Sequence, residues 1–280
     1  GGELDCYASE IGSRLDLRDG AEFARPIICG FAKLGELDLA GGIFQDNVDM
    51  TGTQINSELR IGSAGEAPTR WAEHSTLYLR NATADSIQDL PDAWPTRIDL
   101  SGFNYHNLGG RSTTQDAAMA DRPVSWFASW LGKQEPYASA PYEQLATVLR
   151  SGGRPRAADE ILYAGKERER AQATPLRRVG LTTIDVLIGY GYHLEWALIW
   201  VAGFILAGIA VLRLSGQGPR NQMPFGIAYS FDMLLPIIRL REKHYQIDLE
   251  GWPRYYFYVH KIMGYVLASF LIVGLAGITK

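Results

Sequence analysis

The sequence predicts a β-solenoid, a right-handed parallel β-helix with coils of about 22 residues, followed by an α-helical hairpin and two transmembrane α-helices. Three observations predict it: an apolar-x-apolar triplet recurring at intervals of eleven residues, small turn residues at the bends, and two long uncharged segments near the C-terminus.

The triplets begin at Leu4, Leu15, Pro26, Leu37, Val48 and Leu59 and end at Cys6, Leu17, Ile28, Leu39, Met50 and Ile61. A fixed period outranks any local motif as a guide to architecture. Each triplet places two side chains on one face and one on the other, as a half-buried strand does. Asp19, Gly30, Gly41 and Gly52 follow where the chain must bend. Second apolar stations return at Ile11, Phe23, Leu34, Phe44 and Ile55. The expected solenoid core is Leu15, Leu17, Ile28, Leu37, Leu39, Val48, Met50, Leu59 and Ile61. An eleven-residue period also fits a right-handed helical supercoil, but the repeated glycines and Pro26 disfavour helix. Residues 62–71, with Gly65 and Pro68, read as an inserted loop, and triplets resume at Leu77 and Ile98. The solenoid domain is expected over 1–108, and its start at Gly1, inside the repeat register, reads as a fragment.

Charge is unevenly placed. Residues 1–122 hold 19 acidic and 10 basic side chains, whereas 123–280 hold 12 and 17. Acids dispersed among basic residues argue against a nucleic-acid mimic, and no nucleic-acid partner is expected. The two cysteines, Cys6 and Cys29, read as buried reduced thiols one position out of phase in successive coils.

Residues 109–178 form the second expected domain, a helical cap and a basic αα-hairpin neck. After Pro123, Val124, Phe127, Trp130 and Leu131 share one face of a short helix. Trp126 and Trp130 are expected to cover the open end of the solenoid. Two further helices follow, separated by Ser151-Gly152-Gly153, and the second ends in Lys166-Glu167-Arg168-Glu169-Arg170 before Arg177-Arg178.

Residues 179–280 are the expected membrane domain. The first span falls at about 195–213 and the second at about 259–278, each near the twenty residues that cross hydrocarbon. Tyr190, Tyr192, Trp196 and Trp200 precede the first span, and Trp252, Tyr255, Tyr256 and Lys261 precede or open the second, as interfacial anchors. Between them, 224–240 is apolar, too short to span and broken by Pro236; it reads as a re-entrant or interfacial segment. Ser230, Asp232, Pro236 and Arg239 are its candidate loop or pore residues. Gly189-Tyr190-Gly191-Tyr192 does not read as an ion filter, because it precedes the first span rather than the last. The basic neck places the β-helix on the cytoplasmic side by the positive-inside rule.

No G-x-G-x-x-G, P-loop, G-x-S-x-G, C-x-x-C or H-E-x-x-H occurs, and His74, His106, His193, His244 and His260 lack metal spacing. No catalytic residue, metal or cofactor is therefore assigned.

The L-x-L-x-G coils resemble the pentapeptide-repeat superfamily, with units of eleven in place of ten. The run Pro141-Tyr142-Glu143-Gln144-Leu145-Ala146, then Leu149-Arg150, Ala157-Ala158, Ile161-Leu162, Gly189-Tyr190-Gly191-Tyr192 and Tyr229-Ser230-Phe231-Asp232-Met233-Leu234-Leu235-Pro236, resembles a bacterial membrane-anchored family. Its members carry such coils before two membrane helices, and some are labelled membrane-associated oxidoreductase. The resemblance implies a multi-pass protein of the bacterial inner membrane. The expected role is a non-enzymatic interaction or scaffold module whose partners are the lipid bilayer and a protein or a second copy of itself. The alternative is an oligomeric two-helix channel subunit with a β-helix regulatory domain; a third, the oxidoreductase, rests on the family label alone.

Overall fold

The computed structural model describes residues 3–109, 119–192, 194–223, 226–235 and 240–278, without the side chains of 194–195 and 273–278. The chain divides into two compact units, Gly1–Gln172 and Ala173–Lys280.

The first unit winds into a β-solenoid of about five coils. Coil one contains β1 (Leu4–Asp5), β2 (Glu10–Asp16) and β3 (Glu22–Phe23); coil two contains β4 (Ile27–Ile28), β5 (Lys33–Asp38) and β6 (Ile43–Phe44). Coil three contains β7 (Val48–Asp49), β8 (Gln54–Arg60) and β9 (Arg70–Trp71). Coils four and five contain β10 (Thr76–Tyr78) with β11 (Thr83–Gln88), and β12 (Arg97–Asp99) with β13 (Asn104–Leu108). Equivalent strands stack in parallel into three sheets. Leu4, Ile27, Val48, Leu77 and Ile98 stand in one column, and Leu15, Leu37, Leu59, Ile87 and Leu108 in another.

These columns are the core. Leu17, Leu37, Leu39, Val48, Met50, Leu59 and Ile61 are buried, while Leu15 on the first coil is half-buried. The register differs from the expected one at a single triplet. Leu4 pairs with Ile27, not Pro26, so Ile27 and Cys29 point inward and Ile28 is half-buried. The first coil is one residue longer than two eleven-residue units, and a one-residue slip moves side chains to the opposite face. Cys29 is therefore in phase with Cys6. Both thiols are free, and burial, then the neighbouring Cys6, pushes the Cys29 thiol up to about 12. The expected loop 62–71 is also shorter than read: Arg70 and Trp71 pair with β6, and Trp71 stacks on Phe44, which stacks on Phe23.

The last coil meets α1 (Val124–Gly132), whose Phe127, Trp130 and Leu131 are buried, with Trp126 packed beside them. Trp130 meets Trp94 edge-on at 5.1 Å. Beyond α1, the chain supplies the hydrogen bonds that a further coil would have made. The Ile98 N–H donates to the Lys133 carbonyl at 3.4 Å, and the Leu100 N–H donates to Gln134 Oε1 at 3.0 Å. Arg122, just before α1, makes a buried two-pronged pair with Asp89, at 2.8 Å to each carboxylate oxygen. Helices α2 (Ala140–Ser151) and α3 (Pro155–Gln172) form a hairpin on the same core, with Tyr142 of α2 against Gly165 of α3. Gln144 Nε2 donates to the Tyr105 carbonyl at 2.6 Å. The cap and hairpin thus belong to the solenoid unit rather than to a separate neck.

The second unit contains α4 (Pro175–Ile188), α5 (Leu194–Leu214), α6 (Gln217–Arg220), α7 (Ile227–Leu234) and α8 (Trp252–Ile278). Among the described residues one helix segment, Trp196–Leu214 of α5, is long and apolar enough to cross a membrane. The second expected span falls on α8, whose last side chains lie outside the described residues. The Gly-Tyr-Gly sequence between α4 and α5 is a chain reversal: Gly189, Tyr190 and Gly191 all have positive φ (52°, 56° and 90°). Trp200 Nε1 on α5 consequently donates to the Val186 carbonyl of α4 at 2.8 Å.

Candidate functional site

The second unit builds a polar cluster around the short helix α7, which lies against both α5 and α8. Its direction follows from its contacts. Gly226, at its start, abuts Leu212 of α5, while Ser230, one turn later, donates from Oγ to the Ile205 carbonyl at 3.0 Å. Along α8 the order is the reverse: Ser230 meets His260 and Leu234 meets Gly264. Helix α7 is therefore parallel to α8 and antiparallel to α5. It starts level with the C-terminal end of α5 and descends beside it.

The chain then turns back. Leu240 and Arg241 donate their backbone N–H groups to Asp232 Oδ1 and Oδ2 at 2.6 and 3.1 Å. His244 Nδ1 lies 2.6 Å from Oδ2, and the Tyr245 hydroxyl donates to the Asp232 carbonyl at 3.0 Å. Gln217 Nε2, beyond the end of α5, donates to the Glu250 carbonyl at 3.4 Å, just before α8 begins. The segment between α5 and α8 thus enters and leaves on one side.

Small residues permit this packing. A Cβ on Gly264 would fall on the Leu234 carbonyl oxygen, and one on Gly208 would fall on Ser230 Oγ. Ser230 and Asp232 are 0% and 1% exposed. Each is fully engaged: His260 Nε2 donates to the Ser230 carbonyl at 3.0 Å, which leaves His260 Nδ1 to accept from the Tyr256 hydroxyl at 3.3 Å. Buried polar groups require such partners. With both carboxylate oxygens occupied, Asp232 anchors the returning loop and is not an open ligand within one chain.

Of the four loop residues expected from sequence, Ser230 and Asp232 lie together on α7; Pro236 and Arg239 lie outside the described residues. The aromatic anchors form two groups. Tyr190, Tyr192, Trp196 and Trp200 attend the turn into α5. Trp252, Tyr255 and Tyr256 open α8, with Lys261 Nζ 5.8 Å from the Tyr245 ring. Sequence reading set aside His244 and His260 as scattered histidines. Their spacing from Asp232 and Ser230 follows no motif, because the returning loop brings His244 to Asp232 and the packing of α7 on α8 brings His260 to Ser230. His193 and the side chain of Glu195 lie outside the described residues.

A cavity of about 820 Å³ adjoins α7, and the described residues lining it include Met223, Ile227, Tyr229, Phe231, Arg241 and Lys243. Among the described residues no group of three or more His, Cys, Asp or Glu side chains is arranged to hold a metal. No family model, curated protein or solved structure matches this chain.

Proposed function

We propose that the protein is a membrane-anchored β-solenoid that presents a binding surface for a partner protein at a bacterial inner membrane. The observation that carries this reading is the surface of α5. Only 22% of the Trp196–Leu214 window is buried within the unit, and Leu198, Ile199 and Leu206 are each more than half exposed. A contiguous apolar surface of this kind needs lipid or a partner to cover it. Helix α8 adds exposed Val259, Ile262, Tyr265 and Ile272 and is the proposed second span. The solenoid, with its stacked parallel strands, offers the regular outer surface that repeat folds use for binding.

The orientation rests on the reversal at Gly189–Gly191. Because α4 runs back along α5, Arg177 and Arg178 at its start lie toward the end of the unit that also holds Arg213, Arg220, Arg241, Lys243 and Arg254. The opposite end holds Tyr190, Tyr192 and Trp196. The positive-inside rule assigns the cationic end to the cytoplasm, and the chain enters the unit from that end. The test is membrane fractionation at alkaline pH, with single cysteines at 216 and 190 labelled from either side of inverted vesicles. Extraction of the chain by carbonate, or labelling of position 190 from the cytoplasmic side, would sink the reading.

A second reading, an oligomeric pore subunit, is favoured by one observation: α7 is a half-length helix held between two long ones, with its following loop returning to the same side. Irregular backbone at membrane depth occurs where protein or a water-filled cavity covers it. Planar-bilayer recording of the purified oligomer separates the two readings, since a scaffold gives no unitary currents.

A further inference from the structure

We propose that the cavity beside α7 binds the phosphate headgroup of an anionic phospholipid. Arg241 and Lys243 hold the phosphate, and Ile227, Phe231 and Leu240 lie along the glycerol and upper acyl region. The proposal rests on the membrane reading above and adds a ligand to it.

Three observations converge. First, Arg241 and Lys243 both line the cavity, both are exposed, and neither side chain has an ion-pair partner among the described residues. No acidic residue is among those described as lining it. Of the acids nearby, Asp232 is spent on His244 and the returning backbone and Asp248 on Arg254 at 2.8 Å, while Glu242, between the two cations in sequence, is exposed and does not line the cavity. Two uncompensated cations over one cavity favour an anion.

Second, Tyr229 lines the same cavity at 4% exposure, and its hydroxyl has no hydrogen-bond partner among the described residues. The hydroxyl is not among the fully buried polar atoms and is open to donate to a ligand oxygen. Third, α7 begins here. Its first intrahelical bond runs from the Ser230 N–H to the Gly226 carbonyl, so the N–H groups of Ile227, Ala228 and Tyr229 have no acceptor within the helix.

The volume argues for a lipid rather than a bare ion. About 820 Å³ suits a ligand of many heavy atoms, and the lining mixes these cations and amides with apolar side chains. An amphiphile satisfies both parts at once; inorganic phosphate would leave the apolar part unfilled.

The test uses the full chain in an uncharged detergent. Thermal unfolding and native mass spectrometry are read against added phosphatidylglycerol, phosphatidylcholine and inorganic phosphate. Phosphatidylglycerol is expected to raise the unfolding midpoint and to remain bound in the gas phase; the other two are not. Arg241→Gln with Lys243→Gln is expected to weaken phosphatidylglycerol binding about tenfold or more, because two charge-assisted contacts are lost. Tyr229→Phe, which keeps the ring in place, is expected to weaken it by less and covers the case in which the double variant fails to fold. Equal responses to both lipids, reproduction of the effect by inorganic phosphate alone, or unchanged binding by Tyr229→Phe and the folded double variant would overturn the proposal. Flotation on pure phosphatidylcholine vesicles reads membrane anchoring separately, since it needs no anionic headgroup.

Discussion

Asp232 and His244 are twelve residues apart in sequence, yet Asp232 Oδ2 lies 2.6 Å from His244 Nδ1, both side chains being almost fully buried. The same carboxylate also accepts two backbone N–H groups from the returning loop. Asp232→Ala leaves three donors without their acceptor, whereas His244→Ala removes one donor. The expected losses are about 3–5 kcal/mol for Asp232→Ala and about 1–3 kcal/mol for His244→Ala. Thermal unfolding of both variants in detergent checks the order, and an equal or inverted pair of midpoints would refute the anchoring role.

Gly264 and Gly203 provide a matched pair on the two long helices. A methyl group on Gly264 meets the Leu234 carbonyl oxygen, while one on Gly203 meets nothing within 4 Å. Gly264→Ala is expected to cost at least the 1–3 kcal/mol (roughly) typical of overpacking, and Gly203→Ala to leave the unfolding midpoint unchanged. Protease resistance of the 227–234 region, mapped by mass spectrometry, reports whether α7 has been displaced.

In the first unit, Arg122 joins the cap to the end of β11 by its pair with Asp89, which also accepts from Trp94 Nε1. Removing one partner of a buried pair strands the other. Arg122→Ala is expected to cost about 3–5 kcal/mol, and Arg122→Met with Asp89→Leu much less, because neither charge then remains buried. A double-mutant cycle by denaturant unfolding measures the coupling.

Asp99 gives a pH dependence. Burial pushes its carboxyl up, but the Ser101 backbone N–H and Arg80 outweigh burial and hold it below the ordinary carboxylate value. A depressed carboxylate contributes stability above its unfolded value, near 3.8, and that contribution is lost as pH falls through the folded value. Arg80 is half exposed, so salt screens the effect. Asp99→Asn is expected to flatten the loss of stability as pH falls below the ordinary carboxylate value, measured by urea unfolding at low ionic strength.

The solenoid was legible because coil stacking forces one apolar register on successive segments, and that register is written in the triplets from Leu37 to Ile61. It slipped at Ile27, where one added residue moved the inward position away from Pro26 without altering the local pattern. The inserted loop was overestimated because Arg70 and Trp71 form a strand too short to show alternation. The second unit was less legible. Its apolar segments were plain, but the reversal at Gly189–Gly191 resembles other glycine-tyrosine sequences, and tertiary contacts such as the Trp200–Val186 bond are what show that α4 doubles back. His244 could not be assigned to Asp232 from spacing, since the loop between them has no regular period. Lys133, Gln134 and Gln144 leave no sequence signal at all, because single carbonyl and amide groups there replace a whole coil of backbone.

That replacement has a consequence for assembly. A bare parallel strand edge is a template, and copies of a solenoid could otherwise add to one another end to end into an open fibre. Here the N–H groups of Ile98 and Leu100 are spent on Lys133 and Gln134, and the Tyr105 carbonyl is spent on Gln144. Head-to-tail growth needs two competent surfaces on every copy, and this one is closed. A second copy therefore finds no free Ile98 or Leu100 N–H and no free Tyr105 carbonyl on coil five against which to lay its own strands.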